Sequence, residues 1–138
     1  MEFKPHCDLV DQSRSFRDVE VLRIHYDVTS VDQLTIDLES SSHGDFQLVF
    51  DSPEAVRVLD EGQVCEFWDT YSTPNGWLWL VRSGGWLALE SQRDGFYLPD
   101  VMPTQLYEYL VVGDQCVFVL TRSPPNFHVM HSPDGPVA

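Results

Sequence analysis

Apolar and polar residues alternate along much of the first half of the chain. In residues 34–39, the side chains of Leu34, Ile36 and Leu38 share one face of an extended backbone, and polar side chains take the other face. A period of two is typical of a strand that is buried on one side. The same period predicts strands over residues 19–28, 34–39 and 46–50. In the first of these, the inward positions are Leu22, Ile24, Tyr26 and Val28.

Two interpretations compete for the segment that follows residue 51. A Ser-Pro-Glu sequence has the order of a helix N-terminus, which would start a helix over residues 53–61. The β-branched run immediately after it favours a short strand over residues 55–59 instead, with a short helix at about 60–69. We expect the second arrangement.

Three of the four tryptophans lie in NGWLWLVRSGGWLALES, residues 75–91. The two adjacent glycines predict a tight turn and therefore a hairpin. A hairpin would place Trp77, Trp79 and Trp86 on one face, with leucines on the other. Because both faces are apolar, both should be covered, so we expect the rings to belong mainly to the core. The alternative is a partly exposed aromatic pocket formed by the three rings.

The remaining pattern supports a mainly β fold with minor α content. Residues 107–121 read as a second hairpin with its turn at Gly113, and residues 96–103 are a proline-broken connection. Together the patterns predict about seven short strands and one or two short helices. We expect an antiparallel sheet that curls into a barrel or a sandwich.

The length indicates one domain. A chain of 138 residues can build a single core, which we place at about residues 16–127. We expect residues 1–15 to be a loosely held lead-in, and residues 128–138 to be a loosely held tail because proline is frequent there.

The charge is strongly acidic and unevenly distributed. The chain carries a net charge of −14, and residues 1–70 hold 16 acidic and 5 basic residues, a net charge of −11. Phosphate backbones are bound by clustered lysine and arginine, so the composition argues against nucleic acid as a partner. An acidic surface suits a basic protein partner.

The cellular location of the protein and the state of its cysteines can be predicted from features that the sequence lacks. No apolar run approaches the length of a membrane span, and the first residues lack the layout of a signal peptide. The three cysteines are widely spaced and odd in number, which argues against a disulfide framework. We therefore expect a cytoplasmic protein that does not bind a membrane.

Catalytic and metal-binding signatures are weak. The single lysine, Lys4, stands near the N-terminus, so mechanisms that need a held lysine are disfavoured. Asp37 and Glu39 could form a carboxylate pair, but their alternation is the ordinary solvent-facing pattern of a strand. His128 and His131 lack an acidic or cysteine cluster at zinc spacing. We expect no catalytic residues, no metal and no cofactor.

Acidic and aromatic residues combine in DEGQVCEFWD, residues 60–69. Aromatic anchors inside a polar rim are characteristic of protein interfaces, although an amphipathic helix would give the same pattern. The candidate binding residues are therefore Asp60, Glu61, Glu66 and Asp69, with Trp68 as the anchor, and then Asp37 and Glu39.

The order of three segments resembles a group of bacterial proteins. RVLDEGQVCEFW, SGGWLALE and YEYLVVGDQCVFVLTRSPP, within residues 46–126, are similar to small standalone immunity proteins of polymorphic toxin systems. The resemblance implies a cytosolic inhibitor that occludes a toxin by tight binding. It carries no binding residue over to this chain.

These observations favour a non-enzymatic acidic binding protein, with an immunity protein that occludes a basic toxin as the leading hypothesis. Two alternatives remain. One is a small-ligand-binding β-barrel or weakly marked enzyme with the aromatic pocket described above. The other is a subunit of a β-rich homo-oligomer.

We predict that the protein does not bind DNA or RNA, because its charge repels phosphate. The measurement is a gel shift at low salt, the condition that most favours such binding. Sub-micromolar affinity for either nucleic acid would contradict the prediction.

Overall fold

A computed structural model describes residues 4–68, 70, 71, 75–96 and 105–130. Its regular structure is mainly strand. The strands are β1 (His6–Leu9), β2 (Glu20–Asp27), β3 (Gln33–Ser40), β4 (Gly44–Asp51), β5 (Ala55–Asp60), β6 (Leu78–Ser83), β7 (Tyr107–Val111), β8 (Gln115–Thr121) and β9 (Asn126–Val129). The helical elements are short: one α-helix, α1 (Trp86–Glu90), and 3₁₀ turns at Asp11–Ser13, Glu61–Gln63 and Cys65–Phe67.

Within the described residues, the strands form two antiparallel sheets and no closed barrel. One sheet has five strands in the order β1-β6-β7-β8-β5, and the other has four in the order β2-β3-β4-β9. The prediction of a mainly β, antiparallel fold is confirmed. The strand predictions over residues 34–39, 46–50, 55–59 and 107–121 match β3, β4, β5 and the β7–β8 hairpin.

The two sheets share an inter-sheet core. The inward residues of β3 predicted from the alternation, Leu34, Ile36 and Leu38, are all buried there. Rings from the two sheets meet across it, with the Phe46 and Trp77 centroids 5.4 Å apart. Alternation therefore identified the buried face of the four-stranded sheet correctly.

A second group of apolar residues, the outer cluster, covers the opposite face of the five-stranded sheet. Central strands contribute alternate residues to it, such as Leu110 of β7 and Phe118 of β8. The 3₁₀ turns after β5 contribute Val64 and Phe67, which close over that face. These turns stand where a helix at about residues 60–69 was expected, and the alternative helix over 53–61 is wrong because β5 pairs with β8 through Ala55–Asp60.

The predicted tryptophan hairpin is wrong. Residues Trp86–Glu90 form α1, not a return strand. The reason is tertiary: β6 already has β1 on one edge and β7 on the other, so no edge remains for a hairpin partner. The backbone N–H groups of Trp86 and Leu87 instead donate to the carboxylate of Glu108, at 3.1 and 2.8 Å.

The described parts of the predicted lead-in and tail form strands, which was not expected. Residues 6–9 form β1, an edge strand paired with β6, and the backbone N–H of Val10 extends the contact by donating to Leu78 O. Residues 126–129 form β9 and pair with β4. Residues 131–138 of the predicted tail lie outside the described residues.

β2 departs from simple alternation at one point. Its register against β3 shifts between Val21 and Arg23. The bulge turns Leu22 away from its predicted inward position and leaves it 44% exposed. Ile24 keeps the expected position and packs against the inter-sheet core.

We predict that Trp79→Ala lowers the free energy of unfolding by about 3–5 kcal/mol, because truncating a buried aromatic leaves a cavity. Trp79 is 6% exposed, and its ring packs edge-on against that of Tyr71, with the two ring centroids 4.9 Å apart. Leu89→Ala, at an exposed site on α1, is the control and should change stability by about 0.5 kcal/mol or less. Denaturant titration measures both, and an unchanged midpoint for Trp79→Ala would contradict the assignment.

We predict that only one thiol reacts quickly with iodoacetamide in the native protein at about pH 8, because the thiolate is the nucleophile. Cys65 is exposed, whereas Cys7 and Cys116 are buried. Burial, with the negative charges of Glu108 and Asp8, raises the pKa of Cys7 to about 12. Peptide mapping by mass spectrometry should find Cys65 modified first, and all three only in denaturant. Fast native labelling of Cys7 would contradict the packing.

Candidate protein-binding surface

An acidic groove lies between the two sheets, where the β7–β8 turn approaches the start of β2. The start of β2, the end of β5 and the β7–β8 turn meet around a space of about 370 Å³. Four carboxylates line it: Asp18, Glu20, Glu61 and Asp114. Together they define what we call the acidic groove.

A glycine makes this approach of the two sheets possible. A Cβ added at Gly113, in the β7–β8 turn, would stand 2.8 Å from Val21 Cγ2. Any larger side chain would therefore push β2 away from the turn. The predicted hairpin turn thus also sets the width of the groove.

Local hydrogen bonds hold Glu61 in place. Asp60 ends β5, and its carboxylate accepts from the backbone N–H of Gly62 at 2.9 Å, which caps the first 3₁₀ turn. The N–H of Glu61 donates to Asp114 O at 3.0 Å. The indole N–H of Trp68 donates to Glu61 O at 2.8 Å. The backbone of the groove wall is therefore fixed, while the Glu61 carboxylate faces solvent.

The charge of the groove is not neutralised by neighbouring arginines. Five of the seven arginines form ion pairs at other places on the molecule: Arg14–Asp11, Arg23–Asp37, Arg82–Asp8, Arg93–Glu90 and Arg122–Glu54. In the part of the chain that the structure describes, no such pair includes a groove carboxylate. The groove thus brings four carboxylates together, none of which forms an ion pair within the described residues.

The structure separates the candidate residues that lie together in the sequence. Asp60 and Glu61 lie at the groove, and Trp68 is a half-buried support packed on the outer cluster rather than an exposed anchor. Glu66 is exposed, but its charge acts on Arg57 of β5 and it does not line the groove. Asp69 lies outside the described residues.

Asp37 and Glu39 both point away from the core, as predicted, but into different surroundings. Asp37 lies in the middle of the open face of the four-stranded sheet, 3.0 Å from Arg23 Nε and 3.3 Å from His25 Nε2. Burial opposes its ionisation, yet hydrogen bonds from Arg23 and Gln47 and the nearby positive charges hold the pKa of Asp37 below its ordinary value. Its charge is therefore already satisfied within the protein.

Glu39, in contrast, extends the acidic surface. It lies directly opposite Glu20 on β2 and Asp45 on β4 in the sheet register. This row of three acids begins at the groove and crosses the end of the four-stranded sheet. Neither Glu20 nor Asp114 stood out in the sequence, because nothing local marks them. Their chain positions are distant, and only the packing of the two sheets on each other brings them together.

The three tryptophans do not form the aromatic pocket that was the alternative prediction. Trp77 packs in the inter-sheet core, where its indole N–H donates to Ser13 O. Trp79 packs in the outer cluster, on the opposite side of the same sheet. Trp86 is half-buried on α1 and bonds to Glu90. Three rings on different sides of a sheet cannot line one pocket. Trp77 does not share a face with Trp79, as strict alternation would require, because Trp77 precedes the first residue of β6.

An unexpected polar cluster lies under α1. Glu108 of β7 is buried and accepts the two N–H groups at the start of α1, and burial raises its pKa above the ordinary value. The Arg57 guanidinium carbon lies 5.0 Å from the Trp86 ring centroid and 4.4 Å from that of Phe118. Cation–π contacts and the charge of Glu108 thus hold the arginine against the sheet. The cluster attaches α1 to the outer face, which is a structural role.

The described residues contain no group of three or more histidine, cysteine or acidic side chains that could hold a metal ion. His128 lies on β9 opposite Gln47, and His131 is outside the described residues. Among the helices of the described part of the chain, none has the length and apolar character to cross a membrane.

Comparison with protein-family models, with curated proteins and with solved structures found no match to this chain. The resemblance to immunity proteins therefore stays a prediction.

Proposed function

We propose that this chain is a non-enzymatic binding protein that uses the acidic groove and the adjoining acidic row to occlude a basic partner protein. The observation that carries the proposal is that four carboxylates line one groove, with no ion pair to any of them within the described residues, and that a row of acids adjoins it. Such a surface attracts a basic protein and speeds its encounter.

The grouping of carboxylates around one space supports a specific binding surface. Asp8 and Asp37, on other parts of the molecule, each have an arginine within 3.0 Å. At the groove, the carboxylates of Glu20, Glu61 and Asp114 stay exposed. Desolvating carboxylates is favourable only when a partner supplies positive charge, which selects basic proteins over neutral ones.

The rigidity of the groove also favours binding. Glu61 and Asp114 are joined through the backbone, and Trp68 fixes the carbonyl of Glu61 from below. A wall that is ordered before binding loses little conformational entropy when the partner arrives. The half-buried Trp68 thus contributes by positioning the acids, and it does not insert into the partner.

We further propose that the partner is a toxin domain and that the protein is its cytoplasmic antidote. A toxin that acts on nucleic acid needs a basic substrate groove. An acidic surface that fills such a groove blocks it without any catalytic residue. The resemblance of residues 46–126 to immunity proteins agrees with this role.

We predict that removing the groove charges slows association with the partner. The partner is first isolated from the native host by affinity capture on the wild-type protein. The triple variant Glu20→Gln, Glu61→Gln and Asp114→Asn should then associate about tenfold more slowly at low salt and with a weaker salt dependence, because charge steering is lost. Stopped-flow kinetics at several ionic strengths measure both quantities.

The matched control removes the same net charge from other exposed sites through Asp11→Asn, Asp32→Asn and Asp94→Asn. These acids lie outside the groove, so this variant should keep nearly the wild-type rate. Equal rates and equal salt slopes for the two variants would exclude the groove as the binding surface.

If the partner is a toxin, co-expression with the wild-type chain should restore growth. Failure to restore growth would exclude the antidote role.

A further inference from the structure

Edge strands differ sharply between the two sides of the molecule. On one side, β1 and β9 are edge strands of four residues each. On the other side, β5 has six residues and β2 has eight. Short edges are one way in which proteins prevent another chain from adding to a sheet. Within the described residues, no strand pairs with the outer edge of β2, so the longest edge is open.

The open edge begins at the acidic groove. Glu20, the first residue of β2, lines the groove. The other end of the strand reaches the connection before β5, where the Tyr26 hydroxyl donates to Pro53 O at 3.5 Å. β2 and β5 therefore lie along the same side, and the groove is continuous with the edge of β2.

Exposed apolar side chains follow this edge. Leu22 and Tyr26 of β2 are each 44% exposed, and Val58 of β5 is 42% exposed. Val28 and Val31, in the loop after β2, are more exposed still. Apolar side chains beside unpaired main-chain groups are the combination that strand addition uses, since hydrogen bonds give affinity and alternate side chains give specificity.

β2 has little of the protection that edge strands commonly carry. It contains neither lysine nor proline, and its bulge lies at one end, between Val21 and Arg23. From Arg23 to Asp27 the register against β3 is regular. The guanidinium of Arg23 and the imidazole of His25 are both turned to Asp37, so neither side chain protects the edge.

The charges identify the kind of chain that fits. The regular stretch ends in Asp27, and the groove end carries Glu20. Two copies of this protein paired antiparallel along β2 would bring these ends together, and each copy carries a net charge of −14. Like charges opposite one another destabilise a strand pair, so a second copy is disfavoured and a basic segment is favoured.

We infer that an extended basic segment of the partner adds to the edge of β2 as a fifth strand of the four-stranded sheet. Its lysine or arginine side chains lie on the face that meets the acidic groove and reach its carboxylates, and its alternate apolar side chains lie on the other face and contact Leu22. This inference rests on the proposed function and specifies how the partner is held.

The test uses the full chain and a capped peptide of about nine residues in which lysine alternates with valine, the side-chain period of a strand. The peptide should protect outward amides of Arg23–Asp27 from hydrogen exchange, measured by NMR. One control peptide has glutamate in place of lysine. A second keeps the lysines but is N-methylated at every internal backbone amide. Both should bind about tenfold more weakly, because one lacks the charge and the other lacks the donors.

Two protein variants give a matched comparison. Leu22→Lys places a positive charge on the open edge and should weaken peptide binding about tenfold, since lysine protects edges and repels a basic strand. Val129→Lys makes the same change on β9, where the side chain is 55% exposed, and should leave the affinity nearly unchanged. Both sites are exposed, so both variants should fold.

Three results would overturn strand addition: no peptide protection at β2, equal binding of the N-methylated peptide, or equal effects of the two lysine variants. The proposed function is judged separately, by the salt-dependent association of the partner. A partner slowed by the groove variant but indifferent to Leu22→Lys would support the acidic binding surface and reject the fifth strand.

Discussion

The five-stranded sheet has apolar residues on both faces, and the rest of the structure follows from covering them. The middle strands β7 and β8 consist almost entirely of buried residues. An uncovered apolar face would cost free energy in proportion to its area. The four-stranded sheet covers one face, and the 3₁₀ turns and α1 cover the other. Among the described residues, no element covers the outer face of the four-stranded sheet, where side chains such as Arg23, His25 and Glu39 meet solvent.

This division decides where binding can take place. The inner surfaces are filled, and the tryptophans that first suggested a ligand platform fill them. The proposed binding surface therefore lies elsewhere, at the rim where the ends of the sheets meet and along the edge of β2. The acidic groove lies at that rim because Gly113 lets the β7–β8 turn approach Val21. Packing of the core and placement of the candidate site are therefore consequences of the same arrangement.

The positions of the arginines also determine where the surface stays negatively charged. Arginine is scarce and is used locally, in ion pairs and in the stack of Arg57 on Trp86. Each exposed pair adds little to stability, but it removes an acidic charge from the surface around it. Within the described residues, no arginine forms an ion pair with a groove carboxylate, so the groove keeps its negative potential. A basic partner would be attracted to this end of the molecule. The placement of the few basic residues therefore leaves the groove negatively charged.

The sequence by itself determined the local features: the antiparallel strand character, the buried face of β3, the β7–β8 hairpin and the acidic balance. These depend on alternation and turn chemistry, which act between near neighbours in the chain. Tertiary structure decided the rest. Trp86 joined a helix because both edges of β6 were already occupied, and residues 6–9 became a strand because β6 offered one of those edges. Likewise, Glu61 and Asp114 came together through the pairing of β5 with β8, and Glu20 joined them only through the packing of one sheet on the other. Contacts between segments that are distant in the chain leave no periodic trace in any one segment, so no local pattern could place these three carboxylates together.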